Sequence, residues 1–202
     1  MGRWRLRRRE RRSSVSYFTD GDARAIIREA YGQVRSDGFG VASALYSPEE
    51  LERLPRAAVE LALGVGHPVR HARPSPGEVV LDLGCGAGID TLLAARAVRA
   101  GGRAIGLDMT QEMVSRARAN TVAAGLANVE ILFGLMESIP LDDASVDVVV
   151  SNGVLNLSTR KSRVLAETMR VLRPEGRIAL ADLVLEDRLP DDVLKSPAAL
   201  AG

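Results

Sequence analysis

The sequence predicts an α/β fold: a five-stranded parallel sheet covered by helices on both faces and preceded by an N-terminal helical cap. Three observations carry this. Short runs rich in Val, Ile and Leu recur between residues 78 and 185, separated by stretches with helical periodicity. Those runs are nearly continuous in apolar residues, the pattern of strands buried on both faces. A chain of 202 residues that is 46% hydrophobic can bury one ordinary core.

Each element has a local reason. From Asp20 to Val34 the residues Ala23, Ile26, Ile27, Ala30, Tyr31 and Val34 keep helical spacing, which predicts an amphipathic helix. Gly38-Phe39-Gly40 reads as a loop. Ser47-Pro48-Glu49-Glu50 starts a helix, with a hydroxyl N-cap, proline at the first position and acids in the first turn. Pro55 ends that turn and opens a second short helix reaching about Leu63. Gly64–Gly77, with prolines at 68, 74 and 76, reads as a linker. The alternation then begins: strand Glu78–Leu83, helix Ile89–Val98, strand Ala104–Asp108, and helix Gln111–Ala124 closed by Gly125. Strands Val129–Phe133 and Val146–Ser151 follow, then helix Arg160–Leu172 stopped by Pro174 and Gly176, and a fifth strand Arg177–Leu185. Residues Leu189–Gly202 show no strand pattern and hold one short helix begun at Pro190-Asp191-Asp192. The fifth strand is therefore expected at an exposed edge, a place for self-association. In domain terms, residues 1–19 read as a disordered Arg-rich leader, 20–76 as a helical cap and linker, and 77–202 as the core.

Bulk composition narrows the function classes. No apolar run approaches the roughly 18–20 residues of a membrane span, and no signal-peptide pattern opens the chain, so the expectation is a cytoplasmic protein. One cysteine, Cys85, excludes an internal disulfide, and the two histidines, His67 and His71, lack thiol partners for a zinc site. Seven arginines and one acid, Glu10, lie between Arg3 and Arg12, a net +6 in a chain whose total is +1. The remainder is thus acidic, which argues against a large phosphate-binding face and a nucleic-acid partner.

The line richest in chemistry is Val79-Val80-Leu81-Asp82-Leu83-Gly84-Cys85-Gly86-Ala87-Gly88-Ile89-Asp90, a strand entering a glycine turn at a helix start. A dinucleotide fingerprint, G-x-G-x-x-G, fails in both registers, because its third glycine falls on Ile89 or on Thr91. A phosphate loop fails too, since no G-K-[ST] follows. What stands here is D-x-G-x-G-x-G. The acid, Asp82, repels a pyrophosphate but suits an ammonium or a sulfonium. Twenty residues after Gly88, Asp108 ends the second strand, where a carboxylate can accept from both ribose hydroxyls. A ribose with a cationic amino-acid tail describes S-adenosylmethionine (SAM).

Asp82–Gly88 with Asp108 resembles the class I SAM-dependent methyltransferases, whose core is Rossmann-like. Tyr46-Ser47-Pro48-Glu49-Glu50-Leu51, Gly106-Leu107-Asp108-Met109-Thr110, Ser151-Asn152-Gly153-Val154-Leu155-Asn156-Leu157-Ser158 and Ala181-Asp182-Leu183-Val184 are similar to the arsenite methyltransferases. The resemblance implies Asp82 near the methionine ammonium, Gly84, Cys85, Gly86 and Gly88 against the cofactor, and Asp108 on the ribose. It implies Met109 on the adenine, Met136 and Glu137 on its other side, and Ser151 and Asn152 near the transferable methyl. Acceptor-side candidates are Ser151, Asn152, Asn156 and His67, with no metal ion held by the protein. The acceptor is then a small molecule, As(III) or another small nucleophile.

The sequence also departs from that family. Family cysteines fall where Val65 and Gly153 stand, and a third would lie just past Gly202. Soft As(III) prefers thiolates, so weak or absent arsenite methylation is expected. Two strands that follow the fifth in this family have no counterpart here, so a truncated copy or fragment is expected. The alternative is a SAM-binding relative with little or no activity. A nucleic-acid methyltransferase guided by the Arg-rich start lacks a Pro-Pro-aromatic run after the fourth strand to stack a flipped base.

Overall fold

The computed structural model describes residues 17–34, 38–184 and 189–201. Residues 1–16 of the Arg-rich leader lie outside the described residues, as does the predicted end of the fifth strand at Leu185, while Thr19, at the end of the 1–19 leader, is the ordered N-cap of the first helix. The elements are α1 (Asp20–Gly32), α2 (Phe39–Leu45), α3 (Pro48–Leu51), α4 (Arg56–Val59), α5 (Pro68–Ala72), β1 (Val79–Leu83) and α6 (Ile89–Val98). There follow β2 (Arg103–Asp108), α7 (Gln111–Ala123), β3 (Val129–Phe133), β4 (Val146–Asn152), α8 (Lys161–Val171), β5 (Leu172–Ala181), α9 (Asp191–Leu194) and α10 (Pro197–Ala201).

The five strands form one parallel sheet in the order β3-β2-β1-β4-β5. After β3 the chain crosses to the other side of β1. The carboxyl ends of β1, β2 and β4 therefore frame a crevice at the switch point, the usual ligand position in such sheets. Period-2 alternation along the strands builds two cores. Val80, Ala104, Val148 and Val150 face α6 and the cap, while Leu81, Ile105 and Val149 face Val164 and Val171 of α8. Leu81 is wholly buried in the central strand. Leu81→Ala is expected to cost about 2–5 kcal/mol in urea denaturation, because so central a site collapses poorly around a cavity.

The cap holds more helix than the sequence suggested. Gly38-Phe39-Gly40 is not a loop: α2 starts at Phe39, and the Gly38 N–H donates to Glu60 O at 2.6 Å. The second short helix stops at Val59, short of Leu63. The supposed linker contains α5, with Pro68 at its first turn, where a missing N–H costs nothing. Arg177 of β5 fastens this segment. Its guanidinium donates to Ala72 O at 2.6 Å, to Arg73 O at 2.8 Å and to both Glu78 carboxylate oxygens at 2.7 Å. Chain α1 opens with a Thr19–Asp22 capping box, and α10 returns to pack on α1.

β5 begins earlier than predicted, directly at Leu172. Pairing runs Val146↔Leu172 and then Val148↔Arg177, so residues 173–176 bulge out of the ladder, with Glu175 at φ 68°. The proline and glycine stop the helix as expected, but a bulge absorbs them without ending the pairing. Among the described residues β5 pairs only with β4, and its Ile178 and Leu180 are 36% and 43% exposed. Among the described residues no helix is long and apolar enough to cross a membrane.

Candidate functional site

The crevice at the switch point opens into a cavity of about 1150 Å³, part of it open to solvent. Its floor is the turn between β1 and α6. Gly84, Gly86 and Gly88 all adopt positive φ, at 70°, 52° and 95°, the region where a Cβ is strained. A Cβ on Gly84 would overlap Val154, whereas a Cβ on Gly86 would meet no protein atom within 4 Å. Gly86 thus leaves open room on the cavity floor, which fits close approach by a ligand.

The turn is not an anion cradle. The N–H groups of Gly84 and Cys85 donate to Leu107 O at 2.8 and 3.0 Å, and that of Gly88 donates to Cys85 O at 2.8 Å. The Gly86 N–H donates to Asp108 Oδ2 at 3.0 Å. These four donors are already engaged within the protein, so none of the four is left for a phosphate. The other oxygen of Asp108 accepts from the Thr110 N–H at 2.8 Å. The Thr110 side chain and the Met109 N–H also favour its charged form. Burial pushes the Asp108 carboxyl above its ordinary range, against the backbone N–H groups that favour its charged form.

Of the residues singled out from the sequence, Gly84, Cys85, Gly86, Asp108, Met109, Met136, Glu137 and Asn152 line the cavity. Asp82, Gly88, Ser151, Asn156 and His67 do not reach its wall. Asp82, 2% exposed, lies beneath the turn and accepts from Thr91 Oγ1 at 2.6 Å. Burial, then the neighbouring Asp90 and Asp108 charges, push its carboxyl up. Ser151, 3% exposed, donates to Leu83 O at 3.2 Å. Asn156 is tied to Asp182 on the outer surface, at 2.9–3.0 Å.

His67 is a helix cap. Its Nδ1 accepts from the Arg70 N–H at 3.2 Å, so Nε2 carries the proton and donates to Glu50 Oε1 at 3.0 Å. Both ring nitrogens are spent, which removes it as a candidate base. Cys85 contributes to the wall, but its side chain packs with Val114, Ala117 and Ile131. Burial raises its thiol well above the ordinary value, so it stays protonated.

The site also contains residues the sequence did not single out. Asp90, in the first turn of α6, lines the cavity, and its Oδ2 accepts from Tyr46 OH at 3.1 Å and Asn152 Nδ2 at 2.9 Å. Asn152 further accepts from the N–H groups of Val65 and Gly66 at 2.8 and 3.0 Å, holding that loop against the end of β4. Arg24, Ile27 and Tyr31 close the cavity from α1. The asymmetry of α1 was legible as amphipathicity, but not what its apolar face covers. Thr159 Oγ1 donates to Asp20 at 2.6 Å and latches the helix down.

Three comparisons bear on this geometry. Residues 74–201 match a family model described as "Methyltransferase domain". The chain is 49% identical over 143 residues to the arsenite methyltransferase of Halobacterium salinarum, covering 71% of this chain and 37% of that protein. It spans less than half the length of that relative and of the next curated matches. Among solved structures, an arsenic(III) S-adenosylmethionine methyltransferase from Chlamydomonas reinhardtii superposes with TM-score 0.62 at 32% identity, over 82% of this chain and 55% of that one. A SAM-dependent methyltransferase from Aquifex aeolicus gives TM-score 0.55 at 25% identity, over 76% and 79%.

Proposed function

Because this chain belongs to the methyltransferase domain family, a family of SAM-dependent enzymes, we propose that its cavity holds SAM and that a small nucleophile takes the methyl group. One observation carries the reading. Gly86 opens unfilled space beside Asp108, whose carboxylate is anchored by backbone N–H groups and lines the cavity. A nucleoside sugar fits that pair: the glycine admits it and the carboxylate accepts its two hydroxyls. Met109 and Met136 supply soft apolar walls for the base, with Glu137 beside them. Residues 77–201 act as the donor-binding unit and residues 20–76 as its cap.

When bound, SAM supplies a methyl group on a positively charged sulfur. The chain's contribution is placement and exclusion of water. Positioning donor and acceptor is worth up to roughly 7–11 kcal/mol of barrier. Helix α1 covers the cavity, and Asn152 holds the Val65–Gly66 loop at its edge. A thiolate, an As(III) lone pair or another soft nucleophile needs no base. That suits a site in which His67 has no free nitrogen.

The acceptor is the finer question. Val65 and Gly153 stand where the resemblance to arsenite methyltransferases puts cysteines, and the two positions face each other. A Cβ built on Gly153 lies 3.6 Å from Val65 Cγ1. Without thiols at these positions we infer weak arsenite methylation, and this favours a second reading, a SAM-binding relative with little turnover. SAM titration tests the first part: absence of saturable binding overturns it. Arsenite-dependent formation of S-adenosylhomocysteine at rates typical of the relatives overturns the second. The double variant Val65→Cys/Gly153→Cys is expected to retain As(III) through desalting, read by elemental mass spectrometry, at several-fold the wild-type level. Its cost is about 1–2 kcal/mol for a non-glycine residue at φ 73°. Equal retention by both proteins would argue that the pair does not converge on an acceptor.

A further inference from the structure

We propose that Asp90, rather than Asp82, is the carboxylate that takes the ammonium of the cofactor's amino-acid tail, with Tyr46 and Asn152 as its positioning residues. This rests on the SAM reading above and deepens it. Asp90 lines the cavity and is 6% exposed, and its Oδ1 is buried without a hydrogen-bond partner. A buried carboxylate oxygen left unsatisfied is costly, and that cost is relieved by a donor arriving with a ligand.

The other carboxylates near the cavity are differently committed. Both oxygens of Asp108 hold the turn and the Thr110 N–H. Glu137 accepts from Ser158 Oγ at 2.6 Å and lies 3.8 Å from Arg24. Asp82 sits under the turn with Thr91 and off the wall. Like Asp82 and Asp108, Asp90 has no ion-pair partner among the described residues, but its Oδ1 alone among the buried oxygens of the four lacks a hydrogen bond. A bound cation therefore supplies both the missing hydrogen bond and the missing charge.

The surroundings keep the group charged and aimed. Burial raises the Asp90 carboxyl, while the donors Asn152 and Tyr46 pull it back toward the ionised form. Tyr46 is itself held by a tilted ring contact with His67 at 4.6 Å, and His67 by Glu50. The capped, proline-bounded segments of the helical cap thus brace one carboxylate at the cavity wall.

The test is calorimetric binding of three probes to wild type and Asp90→Asn. They are SAM, S-adenosylhomocysteine, which keeps the ammonium but not the sulfonium, and 5′-methylthioadenosine, which lacks the amino-acid tail. The expected result is a loss of tenfold or more for the first two, with 5′-methylthioadenosine unchanged within twofold. The unchanged probe also reports an intact fold. Tyr46→Phe is expected to show the same pattern at a smaller, few-fold size. Loss confined to SAM would assign Asp90 to the sulfonium and overturn the proposal. An equal loss for all three probes would make Asp90 merely structural, and no loss would leave it without a role; either overturns it. Wild type binding none of the three would instead remove the SAM reading itself, and the Asp90 assignment with it.

Discussion

Asp108→Ala is expected to lower the affinity for SAM by about 100-fold or more in calorimetric titration. The carboxylate would give up two charge-assisted hydrogen bonds to the ribose, each worth roughly 1.5–3 kcal/mol, and each 1.4 kcal/mol is tenfold in affinity. The loss is expected to exceed that of the direct contact alone, because Asp108 also accepts from the Gly86 and Thr110 N–H groups at 3.0 and 2.8 Å. Removing it frees the floor of the cavity to shift. Asp108→Asn keeps one carbonyl acceptor and is expected to fall between alanine and wild type. An affinity for Asp108→Ala within about threefold of wild type would exclude the ribose role.

Gly86→Ala separates binding from folding. The added methyl meets no protein atom within 4 Å, so the native packing receives it without a clash. The strain of a non-glycine residue at φ 52° is about 1–2 kcal/mol, a small fall in denaturation midpoint. The same methyl projects into the space assigned to the ligand, and SAM affinity is expected to fall at least tenfold. Gly84→Ala behaves oppositely, since its methyl would overlap Val154 in the protein itself. It is the folding control: its loss appears in stability first. Undiminished SAM binding by a folded Gly86→Ala protein would mean that the open space above Gly86 is not where the ligand lies.

Much of this fold was legible in the chain because its causes are local. Strands such as Val146–Asn152 announce themselves by a run of valines broken by Asp147, and Ser47-Pro48-Glu49-Glu50 by cap chemistry that the structure reproduces as a full capping box. The failures are equally instructive. Gly38-Phe39-Gly40 and Pro68 carry helix-breaking residues, yet α2 and α5 form there. Gly38 is the N-cap of the first, its carbonyl accepting from the Ala42 N–H at 2.9 Å while its own N–H is anchored on Glu60 O, and Pro68 sits where a helix tolerates proline. Pro174 and Gly176 suggested a gap between helix and strand, where a bulge with Glu175 at positive φ lets β5 start at once.

The site divides along the same line. The chain alone made the glycine turn legible: a strand, three glycines that adopt positive φ, and an acid one strand over at Asp108. Those features rest on steric limits and on spacing within a few dozen residues, which any reader of the chain can count. Which of Asp82 and Asp90 lines the cavity follows from long-range packing. Asp82 and Asp90 are eight residues apart in one strand-turn-helix unit, and nothing local ranks them. The packed fold buries the first under the turn against Thr91. It brings the second to the cavity wall by partners 44 and 62 residues away, Tyr46 and Asn152. Charge placement of that kind depends on burial and on distant donors, and those exist only once the sheet and cap have closed on each other.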